Sequence, residues 1–216
     1  MQLKIDLHLH TTLSSDSSIT IPQAIAIAKK RGLHGIAVTN HDSVTDLTPY
    51  VEDGFLLIPG IEVTTVDGHL LGIGVTWSIP RKLPAFQTAE KIREAGGLAV
   101  VPHPYSALAK RINWQIIEKG GFDGLEVMNA SYPFFGYSSR KGLKLAEKLH
   151  LPQIGGSDSH IPNTIGDAYT VLEADGATVQ AVLGALRSNR VHAEGRATSL
   201  IDQVKKAFSI AKLRLK

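Results

Sequence analysis

Nine histidines and 20 acidic residues, with no cysteine, define the chemistry open to this chain. Without thiols there are no disulfides and no thiolate metal sites, so a metal here must be held by nitrogen and oxygen. The sharpest pattern is Ile5-Asp6-Leu7-His8-Leu9-His10. In an extended segment side chains alternate, which projects Asp6, His8 and His10 to one face and Ile5, Leu7 and Leu9 to the other. The two imidazoles can then reach one ion of the zinc, iron or manganese type, with Asp6 placed to orient a ring nitrogen. A His-x-His segment also occurs as ordinary strand surface, so the remaining histidines and acids decide between the two readings.

The elements that would position them alternate along the chain. Leu3–Leu9 reads as a strand. Thr20 caps a helix that has Pro22 in its first turn, runs from Ala24 to Lys30 and stops at Gly32. Strands follow at Gly35–Thr39, Phe55–Ile58 and His69–Val75, then a helix from Pro84 to Gly96-Gly97 and a buried strand at Leu98–Val101. The second half repeats the pattern: helix Ile112–Lys119, strand Gly124–Met128, helix Ser139–Leu149, strand Pro152–Gly155, strand Ala168–Leu172 and helix Thr178–Ser188. Such alternation argues for an α/β fold with a mostly parallel sheet, open or closed into a barrel.

From about Ser199 the spacing of Leu200, Val204, Phe208 and Ala211 predicts a terminal amphipathic helix. It bears Lys205, Lys206, Lys212, Arg214 and Lys216, expected to form a solvated basic face rather than a membrane or nucleic-acid surface. The chain's 216 residues, 43% hydrophobic and 20% charged, suit a globular fold, expected as a single domain over residues 1–216. No apolar run approaches the ~20 residues of a membrane helix, and a cytoplasmic location is expected. A net charge of +3 suits a phosphorylated substrate and is too small to indicate nucleic acid.

On this layout His8 and His10 end the first strand, His41 follows the second, Glu62 the third, His103 the fifth, and Asp158 and His160 the seventh. That edge is where loops converge to build active sites in barrels and open α/β sheets. His34, His150 and His192 fall elsewhere and are assigned to surface or turn positions. The other six histidines, with Asp16, Glu62 and Asp158, make nine possible ligands: too many for one ion with an open position, so a cluster of two or three divalent ions is expected. Glu62 is the natural bridge, because a carboxylate can join two ions and a neutral imidazole cannot.

Asp6-Leu7-His8-Leu9-His10-Thr11, Thr39-Asn40-His41-Asp42, Gly60-Ile61-Glu62, His103-Pro104 and Ser157-Asp158-Ser159-His160 together resemble the PHP (polymerase and histidinol phosphatase) family of metal-dependent phosphoesterases. The similarity runs to about Leu172. It implies a distorted TIM-like (β/α)7 barrel with a trinuclear site at the C-terminal ends of the strands. Carried over by motif, His8 and His10 share an ion with Glu62 and Asp158, Glu62 bridges to a second ion held by His69 and His103, and Asp16, His41 and His160 hold a third. For Asp16 and His69 a turn aspartate and a solvent-facing strand histidine remain the competing readings.

The implied reaction is hydrolysis of a phosphomonoester or small phosphodiester, a nucleotide or nucleoside bisphosphate among them, by a metal-bound hydroxide, with manganese, zinc or iron as the metal. Asp158 or His160 would assist the leaving group as acid. Lys110, Arg111, Arg140 and Lys141 lie on loops at the same edge as candidate substrate phosphate contacts, the last two near an expected helix start. Glu126 with Asn129 would touch substrate, orient a ligand or pair with a loop amide. Tyr132, Phe134, Phe135 and Tyr137 would form a stacking platform or a hydrophobic plug. Other readings within reach of the resemblance are a 3′-end exonuclease on short RNA or DNA, a histidinol phosphate phosphatase, and a non-catalytic RNA-binding protein related to the TIM-like subunit of RNase P.

Overall fold

A computed structural model describes residues 1–107 and 109–214. Nine strands form one sheet: β1 (Gln2–Leu9), β2 (Gly35–Val38), β3 (Leu56–Thr64), β4 (His69–Ile73), β5 (Leu98–Val101), β6 (Gly124–Asn129), β7 (Gln153–Gly156), β8 (Ala168–Glu173) and β9 (Val191–Gly195). The order is β7-β6-β5-β4-β3-β2-β1-β8-β9. Helices α1 (Ile21–Lys30), α2 (Ala85–Glu94), α3 (Trp114–Ile117), α4 (Phe135–Leu149), α5 (Val179–Arg187) and α6 (Leu200–Arg214) complete it. Among the described residues no helix is long and apolar enough to cross a membrane.

Local chemistry sets the first unit. Thr20 and Gln23 form a reciprocal capping box at the start of α1, and Ile21, Ala24, Ile25 and Ala28 bury one stripe of it. Those residues pack on Leu9, Ile36 and Val38 of the sheet.

The sheet curls into a nearly closed barrel because β1 changes partner halfway. Gln2–Ile5 pair antiparallel with β8. Beyond them Leu9 bridges Ser159 in parallel, His10 N donates to Ser159 O at 3.0 Å and Asp158 N to His8 O at 2.8 Å. Asp6 holds the fork: its carboxylate accepts from Ser157 N (2.9 Å), His8 N (3.3 Å) and Gly166 N (2.9 Å). Complete burial outweighs these bonds and raises its pKa to about 6.

Three sequence expectations change here. The strict alternation over residues 5–10 fails: Ile5 and Leu7 join Ile58, Leu71, Val100 and Ile154, whereas Leu9 packs with α1. The cause is a register shift between Asp6 and Leu9, a bulge that re-aims the end of the strand. Asp6 is therefore spent on backbone amides at the fork and orients no imidazole. Second, β4 runs antiparallel to both neighbours, because only Thr65–Gly68 separate it from β3. Third, α4 begins at Phe135 rather than Ser139, α3 is a single turn, and β9 adds a strand the alternation had not supplied.

α5 seals one end of the barrel. Val182, Leu183 and Leu186 pack against Leu3, Ile73, Leu98 and Leu172, all at the end where the parallel strands begin. The opposite end is left for polar chemistry.

Candidate metal centre

At that opposite end the nine residues singled out from the sequence converge. Glu62 is the hub. Held by Glu62 N donating to Asn40 O (3.0 Å) and Asp42 N donating to Glu62 O (2.9 Å), it is almost fully buried. Its Oε2 lies 3.5 Å from His8 Nε2, 3.2 Å from His10 Nε2 and 3.1 Å from His41 Nδ1. Its Oε1 lies 2.9 Å from His69 Nδ1 and 3.0 Å from His103 Nε2.

Asp158 completes the first group, with Oδ1 at 3.7 Å from His8 Nε2 and 3.5 Å from His10 Nε2. Asp16 Oδ2 sits 3.4 Å from His41 Nε2 and 3.3 Å from His160 Nε2. The placement thus gives a pair of histidines with two carboxylates, a second pair on the far oxygen of Glu62, and a third group around Asp16. Asp16 and His69 both face this cluster.

The supporting bonds are as specific. Glu126 Oε1 is 3.0 Å from His8 Nδ1, while its Oε2 accepts from His103 N (2.8 Å) and Asn129 Nδ2 (2.9 Å). Of its open readings, orientation of a candidate ligand is the one its contacts favour. Ser14 Oγ sits between His10 Nδ1 (3.3 Å) and Asn40 Oδ1 (3.0 Å). His160 Nδ1 donates to the Asp158 carbonyl at 3.0 Å, which fixes the tautomer and leaves Nε2 with its lone pair toward Asp16. His103 and Asp158 adopt φ of +34° and +51°, a backbone strain of order 1–2 kcal/mol each, concentrated at this edge.

The electrostatics are those of donors competing for protons. Burial disfavours a charged His41, but bonding to Asp16 and the charge of Glu62 outweigh it and raise its pKa to about 9. Burial likewise opposes the charged forms of His8, Glu62 and Asp158. Opposite charges nevertheless drive His8 well up, through Glu126, Asp158 and Glu62, and hold both carboxylates well down. His160 goes the other way, down to about 4, through burial and the nearby Lys206 ammonium, so it is neutral near pH 7. Divalent ions satisfy these donors as protons do. The donor set fits: in each of three overlapping sets, His8–His10–Asp158, His10–His41–His160 and His41–Glu62–His69, one ligand atom per residue lies within 4.8 Å of the others. Asp16 Oδ1 and His103 Nδ1 are buried without a partner.

Above the cluster lies a cavity of about 600 Å³. Lys110 lines it. Arg111 instead braces the loop through Nη1 to Ser106 O (2.8 Å), and Arg140 and Lys141 stand in the second turn of α4, outside the lining residues. Lys141 lies 4.9 Å over the Tyr137 ring and 5.6 Å over that of Tyr105. The aromatic segment is divided: Tyr132 is buried, and Phe134 and Tyr137 are exposed.

The terminal helix departs most from expectation. Gln203, Lys206, Ala207 and Ile210 of α6 line the cavity, and Leu200, Val204 and Phe208 face solvent. Lys206 Nζ donates to Asp158 O (2.9 Å) and Ser131 Oγ (2.9 Å). The solvated basic face holds for Lys205 and Lys212 and fails for Lys206. The Arg214 side chain and Lys216 lie outside the described residues. Residue type had shown the positive charge; only the seating of the helix reveals which lysine turns inward.

Comparison with known proteins agrees with this geometry. The PHP domain matches residues 6–96, and the PHP-associated region matches residues 136–191. An uncharacterized protein of Methanocaldococcus jannaschii is 35% identical over 142 residues, 59% of this chain and 82% of the relative. The phosphoribosyl 1,2-cyclic phosphate 1,2-diphosphodiesterase of Eggerthella lenta is 40% identical over 85 residues, 35% of this chain and 32% of that enzyme. A Bacteroides vulgatus two-domain protein containing a predicted PHP-like metal-dependent phosphoesterase has the same fold. Its TM-score is 0.69 at 20% identity, covering 96% of this chain and 69% of that one. By the matched segments, the barrel and the clustered histidines and acids, the chain belongs to the PHP family of metal-dependent phosphoesterases.

Proposed function

We propose that this chain, a metal-dependent hydrolase, cleaves small phosphomonoesters or phosphodiesters, nucleotides among them, at a centre of two or three divalent ions. The observation that carries the reading is the double use of Glu62, whose two oxygens face different sets of histidines. His8, His10 and Asp158 would hold an ion on one oxygen, His69 and His103 an ion on the other, and Asp16, His41 and His160 the third. When bound, the ions supply Lewis acidity toward the phosphoryl oxygens and toward water.

The chain's own groups do the rest. Glu126 and Ser14 fix the rings of His8 and His10. His160, neutral near pH 7 and with Nδ1 donating to a carbonyl, would offer the Nε2 lone pair to an ion rather than serve as a proton source. Asp158, whose Oδ2 lies 3.9 Å from Lys206 Nζ, would take the proton shed by the attacking water and return it to the leaving group. The Eggerthella relative, named for a cyclic phosphate of ribose, supports the ester class.

The test is hydrolysis of p-nitrophenyl phosphate, bis(p-nitrophenyl) phosphate and a panel of mononucleotides and nucleoside bisphosphates. Turnover abolished by a chelator and restored by manganese, zinc or iron is expected. No turnover of any ester with any of these ions would overturn the reading.

A further inference from the structure

α6 lies beyond both segments matched by the family, so no motif assigns it a role. Its seating is unusual. A helix that covers a barrel mouth for stability turns its apolar stripe inward. Here Leu200, Ile201, Val204 and Phe208 are exposed, and Gln203, Lys206 and Ile210 meet the cavity. The helix is pinned in this orientation at its start. Thr198 N donates to Ala130 O (2.9 Å), Thr198 Oγ1 to Asp167 Oδ2 (3.2 Å), and Gln203 Nε2 to Thr198 O (3.1 Å).

An ammonium has three donors. Two from Lys206 go to Asp158 O and Ser131 Oγ, and Asp158 Oδ2 is 3.9 Å away, which leaves charge and hydrogen-bonding capacity at the cavity wall. Lys110 adds a second ammonium to the same lining. Once divalent ions neutralise Glu62, Asp158 and Asp16, these lysines face an anionic ligand without a competing carboxylate.

We propose that Lys206 is a substrate-binding residue that grips phosphate oxygens at the metal centre, and that α6 thereby acts as a cap restricting the enzyme to small phosphate esters. The inference rests on the phosphoesterase reading above. A cavity of about 600 Å³ suits a ligand of mononucleotide size. With α6 along its wall, the cavity would admit a small ester more readily than a polymer strand.

The test uses the full chain loaded with manganese, as wild type, Lys206→Gln and Lys206→Arg. Calorimetry with inorganic phosphate reads binding without turnover. Glutamine should weaken phosphate at least tenfold, arginine should recover most of it, and bound manganese should be unchanged. With p-nitrophenyl phosphate, Lys206→Gln should raise KM at least tenfold and change kcat less than threefold. Wild type should cleave a mononucleotide at least 100-fold more efficiently than a single-stranded oligonucleotide. Unchanged phosphate affinity in Lys206→Gln overturns the proposal, as does loss of manganese with it, which would reduce Lys206 to a support for Asp158. Equal cleavage of the oligonucleotide overturns the cap. A wild type that binds phosphate through Lys206 and hydrolyses no ester would sink the phosphoesterase reading and leave the anion site standing.

Discussion

At the scale of single residues, Glu126 braces two candidate ligands, the ring of His8 and the backbone of His103. One oxygen meets His8 Nδ1 and the other takes two donors, His103 N and Asn129 Nδ2. Glutamine at this position must turn an NH2 group toward a donor on one side. Glu126→Gln should lower metal affinity about 10- to 100-fold, read by titration against a competing chelator, because the ring it orients loses its anchor. His41 gives a pH test. In the metal-free protein it keeps its proton up to about pH 9. An ion entering beside Asp16 must displace that proton, so affinity should rise with pH and level off above about 9, with proton release measurable in weak buffer. A flat affinity from pH 6 to 9 would place His41 outside the ligand set. The histidines were legible in the sequence because their spacing and placement after strands follow from local pattern. Glu126 was visible only as a residue with several readings, since its partner His8 lies 118 positions away.

At the scale of elements, the site depends on β1, β6 and β7 meeting closely. A Cβ added to Gly156 would come within 2.5 Å of both Glu126 Oε1 and His8 Cβ. Gly156→Ala should therefore destabilise the fold by about 1–3 kcal/mol and loosen metal binding together, as denaturant melts with and without added manganese would show. The alternating helices and strands were readable from capping and periodicity. The antiparallel turn into β4 also left a signal, Val66-Asp67-Gly68 between two apolar runs, which is a hairpin rather than a crossover. The bulge in β1 left none, because it lies where the strand passes from pairing with β8 to bridging Ser159, a contact distant in sequence. The seating of α6 was equally hidden: its composition predicts an amphipathic helix, and the side it turns inward is set by the anchors at Thr198.

At the scale of the whole molecule, the barrel separates stability from chemistry. α5 fills the end where the parallel strands begin with Val182, Leu183 and Leu186, and the candidate ligands crowd the other. Leu183→Ala should cost about 2–5 kcal/mol in stability while metal stoichiometry stays unchanged, because the cavity it leaves is remote from Glu62. A multinuclear centre organised on Glu62 that hydrolyses phosphate esters has its plainest signature in metal content. Elemental content and p-nitrophenyl phosphate turnover should be measured on purified wild type and on a His8→Ala, His10→Ala double variant. Two or three equivalents in the wild type with chelator-sensitive turnover, and loss of at least one equivalent and of turnover in the variant, is the predicted result. A wild type that takes up no manganese, zinc or iron would rule that centre out.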